Sequence, residues 1–200
     1  MNEQDYDVVL NVKTGEDQKR FFKSFHYHPY EPTPYRGLDI LFDQYELKTT
    51  DHLVDFGCGK GRLNFYAHYR FHTKVTGIEM NEIFYKKALE NLKRYEKKRR
   101  VREGEIVFRC CLAEEYRIQK RDNKFYFFNP FSIQIFRRVI GNILESNEQE
   151  NREIDLILYY GADDYIDLLE RETQFSLKQE IIIPELYNRD SYERFLIYTL

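Results

Sequence analysis

Apolar positions along this chain switch between a period near 3.6 and short continuous runs, and the switches fall at glycines, prolines and clusters of turn residues. Leu38, Leu41, Phe42 and Tyr45 recur at helical spacing behind Thr33 and Pro34. The spacing predicts a helix within residues 30–45, with Thr33 as N-cap and Pro34 at the first helical position, where a missing N–H costs nothing. Residues 52–56 read as a buried strand, Leu63, Phe65, Tyr66 and Tyr69 as a helix ending near 71, and residues 74–78 as a second strand. That is a βαβ unit, whose right-handed crossover makes its strands parallel neighbours. Asn81 is placed to cap a further helix in which Phe84, Ala88, Leu92 and Tyr95 lie one turn apart. Strands follow at 106–112, 125–128 and 154–160, with helices over about 132–144 and 164–172. The end differs, because residues 177–183 and 193–200 read as strands with no helical pattern of useful length between them, which suits an antiparallel pair. The expected fold class is α/β, a mostly parallel sheet covered on both faces with one reversed strand.

Residues 1–29 are polar and irregular, apart from a short apolar segment at 8–12 and an aromatic group of Phe21, Phe22, Phe25 and Tyr27. They are expected to form an N-terminal extension docked through its aromatics, ahead of one domain spanning residues 30–200. At 200 residues, 42% hydrophobic and 32% charged, the chain can close its own core without staples. A net charge of −3 excludes a surface built throughout to bind a polyanion, so any nucleic acid must meet a local patch. Residues 86–102 supply one, with nine Lys or Arg against two Glu and a local charge of +7. Their helix should end far from the ligand side of the sheet, where basic residues also serve its dipole. Arg137 and Arg138 are nearer that side, as a solvated helix face or as contacts to an anionic substrate. Cys58, Cys110 and Cys111 have neither bridge nor zinc spacing, and His26 and His28 lack a third ligand, so no metal is expected. No apolar run is long enough to span a bilayer and the acidic start lacks a leader pattern; a cytoplasmic protein without membrane partners is expected.

The chemistry concentrates between residues 54 and 79. Leu53, Val54 and Phe56 run straight into Gly57, Gly59 and Gly61. Glycine takes positive φ and lets a ligand approach the backbone, so this turn is expected to present amide N–H groups to a bound molecule. A dinucleotide fold wants G-x-G-x-x-G, which would require glycine at position 62; Arg62 stands there and disfavours a nicotinamide-dependent oxidoreductase.

The pattern Asp55-x-Gly57-x-Gly59-x-Gly61, with Glu79 closing the second strand, resembles the first motif of the class I S-adenosylmethionine-dependent methyltransferases. The resemblance implies a Rossmann-like three-layer sandwich, its mostly parallel seven-stranded sheet carrying an antiparallel C-terminal hairpin strand, and S-adenosyl-L-methionine as cofactor. It places Asp55 near the cofactor's ammonium group, the backbone of Gly57, Cys58, Gly59 and Gly61 along its methionine and ribose, and Glu79 on the ribose hydroxyls. Thr33, Met80 and Asn129 are implied as further cofactor contacts. Ala113 and Glu114, in CCLAEEY, fall where relatives hold adenine, with Leu112 at the position that is usually acidic. A lid is expected from residues 30–35.

The fourth strand ends FFNPFS, which resembles the N-P-P-F or N-P-P-Y motif of amino-methyltransferases. In that arrangement Asn129 and the Pro130 carbonyl accept hydrogen bonds from the target amine, and an aromatic ring, here assigned to Phe131, stacks on its planar group. Methyl transfer from a sulfonium needs an aligned lone pair more than a strong base, so orientation supplies most of the barrier reduction. Phe131 occupies the place of the second proline, and a plain Asn-Pro turn is the alternative. The expected activity is methyl transfer to a nitrogen in RNA, DNA or a protein, with a small-molecule acceptor left open. The alternative is a non-catalytic cofactor-binding or interaction protein.

Overall fold

The computed structural model describes residues 3–15 and 31–200. The expected aromatic group at Phe21, Phe22, Phe25 and Tyr27, the histidines His26 and His28, and Tyr30 lie outside the described residues. Seven strands form one sheet: β1 (His52–Phe56), β2 (Lys74–Glu79), β3 (Ile106–Cys110), β4 (Lys124–Phe128), β5 (Asp155–Tyr159), β6 (Ser176–Ile182) and β7 (Arg194–Thr199). Their spatial order is β3-β2-β1-β4-β5-β7-β6. The first five are parallel, and β7 runs antiparallel to both β5 and β6. This is the expected three-layer α/β sandwich with one reversed strand.

Side chains alternate between two apolar layers, as the pleat requires. Leu53, Val75, Tyr126 and Ile157 face a layer covered by α1 (Glu3–Leu10), α2 (Tyr35–Gln44), α3 (Arg62–Phe71) and α4 (Glu82–Glu96). Val54, Ile78, Phe125 and Leu156 face the other, covered by α5 (Ile133–Gln149) and α6 (Asp163–Glu172). A short α7 (Pro184–Tyr187) lies between β6 and β7, where no helix was expected, because Pro184 starts a single turn.

Three local details matter for the site. Asn81 caps α4 as expected, its side chain accepting from the N–H groups of Ile83 (2.9 Å) and Phe84 (3.4 Å). Thr33 does not cap α2; the helix begins at Tyr35, and the Tyr35 N–H donates instead to the Glu3 carboxylate at 2.6 Å. Residues 3–10, expected to be irregular, are helix α1, with Tyr6 and Leu10 one turn apart and buried in the same layer as α2 and α3. Tyr6 stacks on Tyr35 at 4.7 Å.

Candidate active site

β1, β2 and β4 end side by side, and the turns that leave them carry most of the residues singled out above. In register Asp55 lies opposite Gly77 of β2 and Tyr126 of β4. Asp55 and Glu79 point to the face covered by α2, α3 and α4, since they share alternation with Leu53 and Val75. Gly57, Gly59 and Gly61 all have positive φ, at 81°, 54° and 84°.

The turn is internally hydrogen-bonded, which corrects one expectation. The N–H groups of Gly57 and Cys58 both donate to the Ile78 carbonyl (2.9 and 3.0 Å), and that of Gly61 donates to the Cys58 carbonyl (2.8 Å). Gly59 donates to the Glu79 carboxylate at 2.9 Å. Buried amides must find partners, and these find them in the turn itself and in β2. Glu79 also accepts from the Asn81 N–H at 2.7 Å, so one carboxylate joins the glycine turn to the start of α4.

Burial raises the Glu79 carboxyl above its usual range, against the lowering effect of the backbone N–H groups of Asn81, Gly59 and Met80. Burial, with the Glu79 charge beside it, pushes Asp55 up to about 8. Among the described residues no cationic side chain pairs with Asp55. A buried carboxyl without a cation suits a ligand that brings one, and a second carboxylate on the neighbouring strand suits hydroxyl donors. The two acceptors therefore fit a nucleoside that carries an amino acid with a free ammonium group, the class of cofactor that the resemblance implies.

Cys58 is a buried thiol, raised by burial, whose sulfur occupies space left by the absent Gly77 side chain: a Cβ there would stand 2.6 Å from it. Met80 and Ile83 are exposed apolar side chains on the chain leaving Glu79, at the β2 side of the site. Ala113 is buried in a single 3-10 turn, Ala113–Glu115, after β3. The Glu114 carbonyl accepts from Asn142 of α5 at 2.9 Å, and its carboxylate lies 3.8 Å from Arg138. Arg137 pairs with Glu172 of α6, so both arginines face neighbouring acids.

At the end of β4, Asn129 has a left-handed φ of 37° and Pro130 packs close enough to Gly57 that a Cβ there would lie 2.9 Å from its ring. The Asn-Pro turn and the glycine turn are thus in contact. Phe131 is only 1% exposed; its ring lies 6.2 Å from Phe127 and perpendicular to it, and Tyr165 donates its hydroxyl to the Phe131 carbonyl. The structure places this ring in the core as an anchor of the turn, away from any surface where a planar acceptor could stack. Phe128, half-buried on the opposite face and 4.5 Å from Tyr159, is the neighbouring ring on the α2 side.

Sequence reasoning missed the partners of Thr33, Lys60 and Arg62. Thr33 is buried and its hydroxyl lies 2.7 Å from that of Tyr126, beside Asp55. Lys60 donates to the Gly15 carbonyl at 2.8 Å. Arg62 opens α3 yet is buried, bonded to Thr14, Glu3 and the Thr33 carbonyl. The available signal was a cation at a helix N-terminus, where the dipole disfavours it unless acids are near. A cavity of about 850 Å³ opens beside these residues, lined by α1, residues 31–34, Lys60 and α4. The basic stretch 86–102 is partly structural, since Lys98 and Arg99 donate to the Val8 and Val9 carbonyls at the end of α1. Among the described residues no group of three His, Cys, Asp or Glu could hold a metal ion, and no helix is long and apolar enough to cross a membrane.

No curated protein sequence matches this chain. Several solved structures share its fold at low identity. An RNA methyltransferase from Salinibacter ruber, in complex with S-adenosyl-L-homocysteine, is 18% identical over 84% of this chain and 92% of its own, with a TM-score of 0.59. A Pyrococcus horikoshii protein described provisionally as an RNA methyltransferase is 16% identical over 98% of this chain and 95% of its own, TM-score 0.58. A Haemonchus contortus phosphoethanolamine N-methyltransferase, solved with phosphoethanolamine and S-adenosylhomocysteine, is 15% identical over 82% of this chain and 42% of its own, TM-score 0.58. The family described as "Methyltransferase domain" matches residues 38–157, from α2 through β5 and so across every turn described above. The chain belongs to this methyltransferase family.

Proposed function

We propose that this methyltransferase uses S-adenosyl-L-methionine and transfers its methyl group to a nitrogen presented beside Asn129 and Pro130, in a nucleic acid or a protein. The observation that carries the reading is the pair of buried carboxylates, Asp55 and Glu79, on adjacent parallel strands beside an Asn-Pro turn that touches the glycine turn. The cofactor supplies a methyl group on a sulfonium, open to in-line displacement. Asp55 meets the ammonium group, Glu79 takes the ribose hydroxyls, and the backbone from Gly57 to Gly61, Cys58 included, lines the approach. Thr33, Met80, Ala113 and Glu114 complete the cofactor side. Asn129 and the Pro130 carbonyl orient the acceptor amine, and Phe131 holds that turn from within the core. Held there, the acceptor nitrogen would take the methyl carbon as its bond to sulfur breaks, leaving the neutral thioether, and would then lose its proton to solvent.

Residues 30–200 are proposed as the methyltransferase domain and residues 1–29 as an extension, of which 3–15 pack against it. Cytoplasmic localisation is proposed on the free state of Cys58, Cys110 and Cys111. RNA is the first acceptor to screen, because the Salinibacter ruber relative is an RNA methyltransferase.

Calorimetric titration with S-adenosylmethionine, S-adenosylhomocysteine and NAD tests the cofactor. Micromolar binding of both adenosyl ligands, weakened about 100-fold in Glu79→Ala by loss of two charged hydrogen bonds, is expected. Binding of NAD alone would overturn it. The buried Phe131 ring favours one second reading, a protein that binds the cofactor without chemistry. Asn129→Ala separates the two, since an enzyme relying on that turn loses turnover and keeps cofactor affinity.

A further inference from the structure

Arg62 is the point at which three separate stretches of chain meet. Its Nε donates to the Thr14 hydroxyl at 2.8 Å, and its Nη1 donates to the Glu3 carboxylate at 2.5 Å and to the Thr33 carbonyl at 3.1 Å. The guanidinium also lies 4.4 Å from the centre of the Tyr35 ring. These partners are fastened to one another. Asp7 accepts from the Thr14 N–H (2.8 Å), the Thr14 hydroxyl (2.7 Å) and the Tyr35 hydroxyl (2.7 Å), while Glu3 caps the first N–H of α2. A second tie runs in parallel: Lys60 holds the Gly15 carbonyl, and Asn91 of α4 bonds both the N–H and the carbonyl of Lys13 as well as the carbonyl of Lys60.

On the far side of this knot stands the cofactor wall. The Thr33 carbonyl is held by Arg62, and its hydroxyl reaches Tyr126, which faces Asp55 across the β1–β4 pair. One cation directly after the glycine turn thus determines where residues 31–35 sit over the ends of β1 and β4. A guanidinium suits this task, since its planar fork offers several fixed donors at once.

We propose that Arg62 is a positioning residue for cofactor binding: it latches residues 3–15 and 31–35 onto the glycine turn, so that Thr33, Tyr126 and Asp55 form one wall of the site. The inference rests on the reading that an adenosyl cofactor binds at this turn. If the latch is open for part of the time, apparent affinity falls by the closed fraction. By reciprocity, bound ligand holds the latch shut.

The test is calorimetric titration of S-adenosylhomocysteine into the native chain, Arg62→Met, Arg62→Lys and Glu3→Gln, with thermal melting of each and hydrogen exchange at the Thr14 amide. Arg62→Met is expected to melt cooperatively and to bind about tenfold more weakly, corresponding to a latch closed about a tenth of the time. Arg62→Lys should recover part of the loss. S-adenosylhomocysteine should slow exchange at Thr14 in the native chain and lose that effect in Arg62→Met. A folded Arg62→Met that binds within about twofold of native overturns the proposal, because the closed fraction would then be unaffected. If Arg62→Met does not fold, Glu3→Gln decides, since Glu3 is half exposed: about threefold weaker binding supports the latch and unchanged binding overturns it. If the native chain binds neither adenosyl ligand, the functional reading itself fails and the inference falls with it.

Discussion

Asp55 and Glu79 lie on one face of adjacent parallel strands, Asp55 opposite Gly77 and Glu79 two residues further along, both buried. Burial raises both carboxyls; the Glu79 charge adds to the shift at Asp55, while the backbone N–H groups of Asn81, Gly59 and Met80 oppose the shift at Glu79. In the free protein Asp55 titrates near pH 8. A ligand ammonium beside it lowers that value, so binding below pH 8 releases a proton and affinity rises with pH up to about 8. Titrations of S-adenosylhomocysteine in buffers of different ionisation enthalpy should show this release, and Asp55→Asn should abolish it.

The same group affects stability with a definite sign. Its folded pKa is raised, so the stability it contributes is fully present below the unfolded value of about 3.9 and is lost as pH rises through about 8. Asp55→Asn should therefore raise the Tm of the free protein at pH 8.5, with a gain that shrinks steadily as the pH of the melt is lowered toward 4. A lower Tm at pH 8.5 would refute the assignment.

Gly77 is required by contact rather than by conformation. A Cβ would stand 2.6 Å from both the Cys58 sulfur and the Phe108 ring. Gly77→Ala should cost about 2 kcal/mol through overpacking and push the glycine turn outward, weakening cofactor binding as well. Urea unfolding and calorimetry measure the two effects, and Gly77→Ala with Cys58→Ala should recover part of each.

Asn129 and Phe131 are two residues apart yet should behave differently on truncation. Phe131→Ala removes a fully buried ring and should cost about 3–5 kcal/mol in urea unfolding. Asn129→Ala should leave S-adenosylhomocysteine affinity near native and abolish methyl transfer from labelled S-adenosylmethionine to the RNA or protein fraction that accepts it. Full turnover in Asn129→Ala would remove the turn from the mechanism.

His52 on β1 is buried, with Nε2 bonded to the Thr76 hydroxyl at 2.8 Å and Nδ1 lying 3.6 Å from the Asp122 carboxylate. Burial, with Arg121 and Lys74 nearby, lowers its pKa to about 4. Between pH 4 and about 6.5 the unfolded chain binds more protons at this site than the folded one, so stability falls as pH drops through that window. Asp122 is shifted in the opposite sense by burial, so the His52 contribution is read as the difference between the native chain and His52→Gln. Native should lose about 2 kcal/mol more than the variant from pH 7 to pH 5, measured by urea unfolding.

The strands and central helices were legible because their signals are local. The three glycines, Asn81 and the apolar spacing of α2 through α6 depend on near neighbours, and each element appeared within a few residues of its expected bounds. Helix α1 escaped because eight residues with two buried side chains are too short to form a helix without tertiary support. Thr33 looked like an N-cap because Pro34 followed it, but Glu3, distant in sequence, accepts the first N–H of α2 and the Thr33 hydroxyl pairs with Tyr126 instead.

By itself the sequence determined the order of the seven strands and of α2 to α6, the D-x-G-x-G-x-G turn and the carboxylate that closes β2, since periodicity and backbone freedom are properties of adjacent residues. Only the tertiary structure decided that the turn's amides bond inward to Ile78 and Glu79, that Phe131 anchors the Asn-Pro turn from the core, and that Arg62 gathers Glu3, Thr14 and Thr33. Each of these depends on which partner a buried polar or aromatic group finds when distant segments close around it, and burial leaves such groups no alternative in solvent.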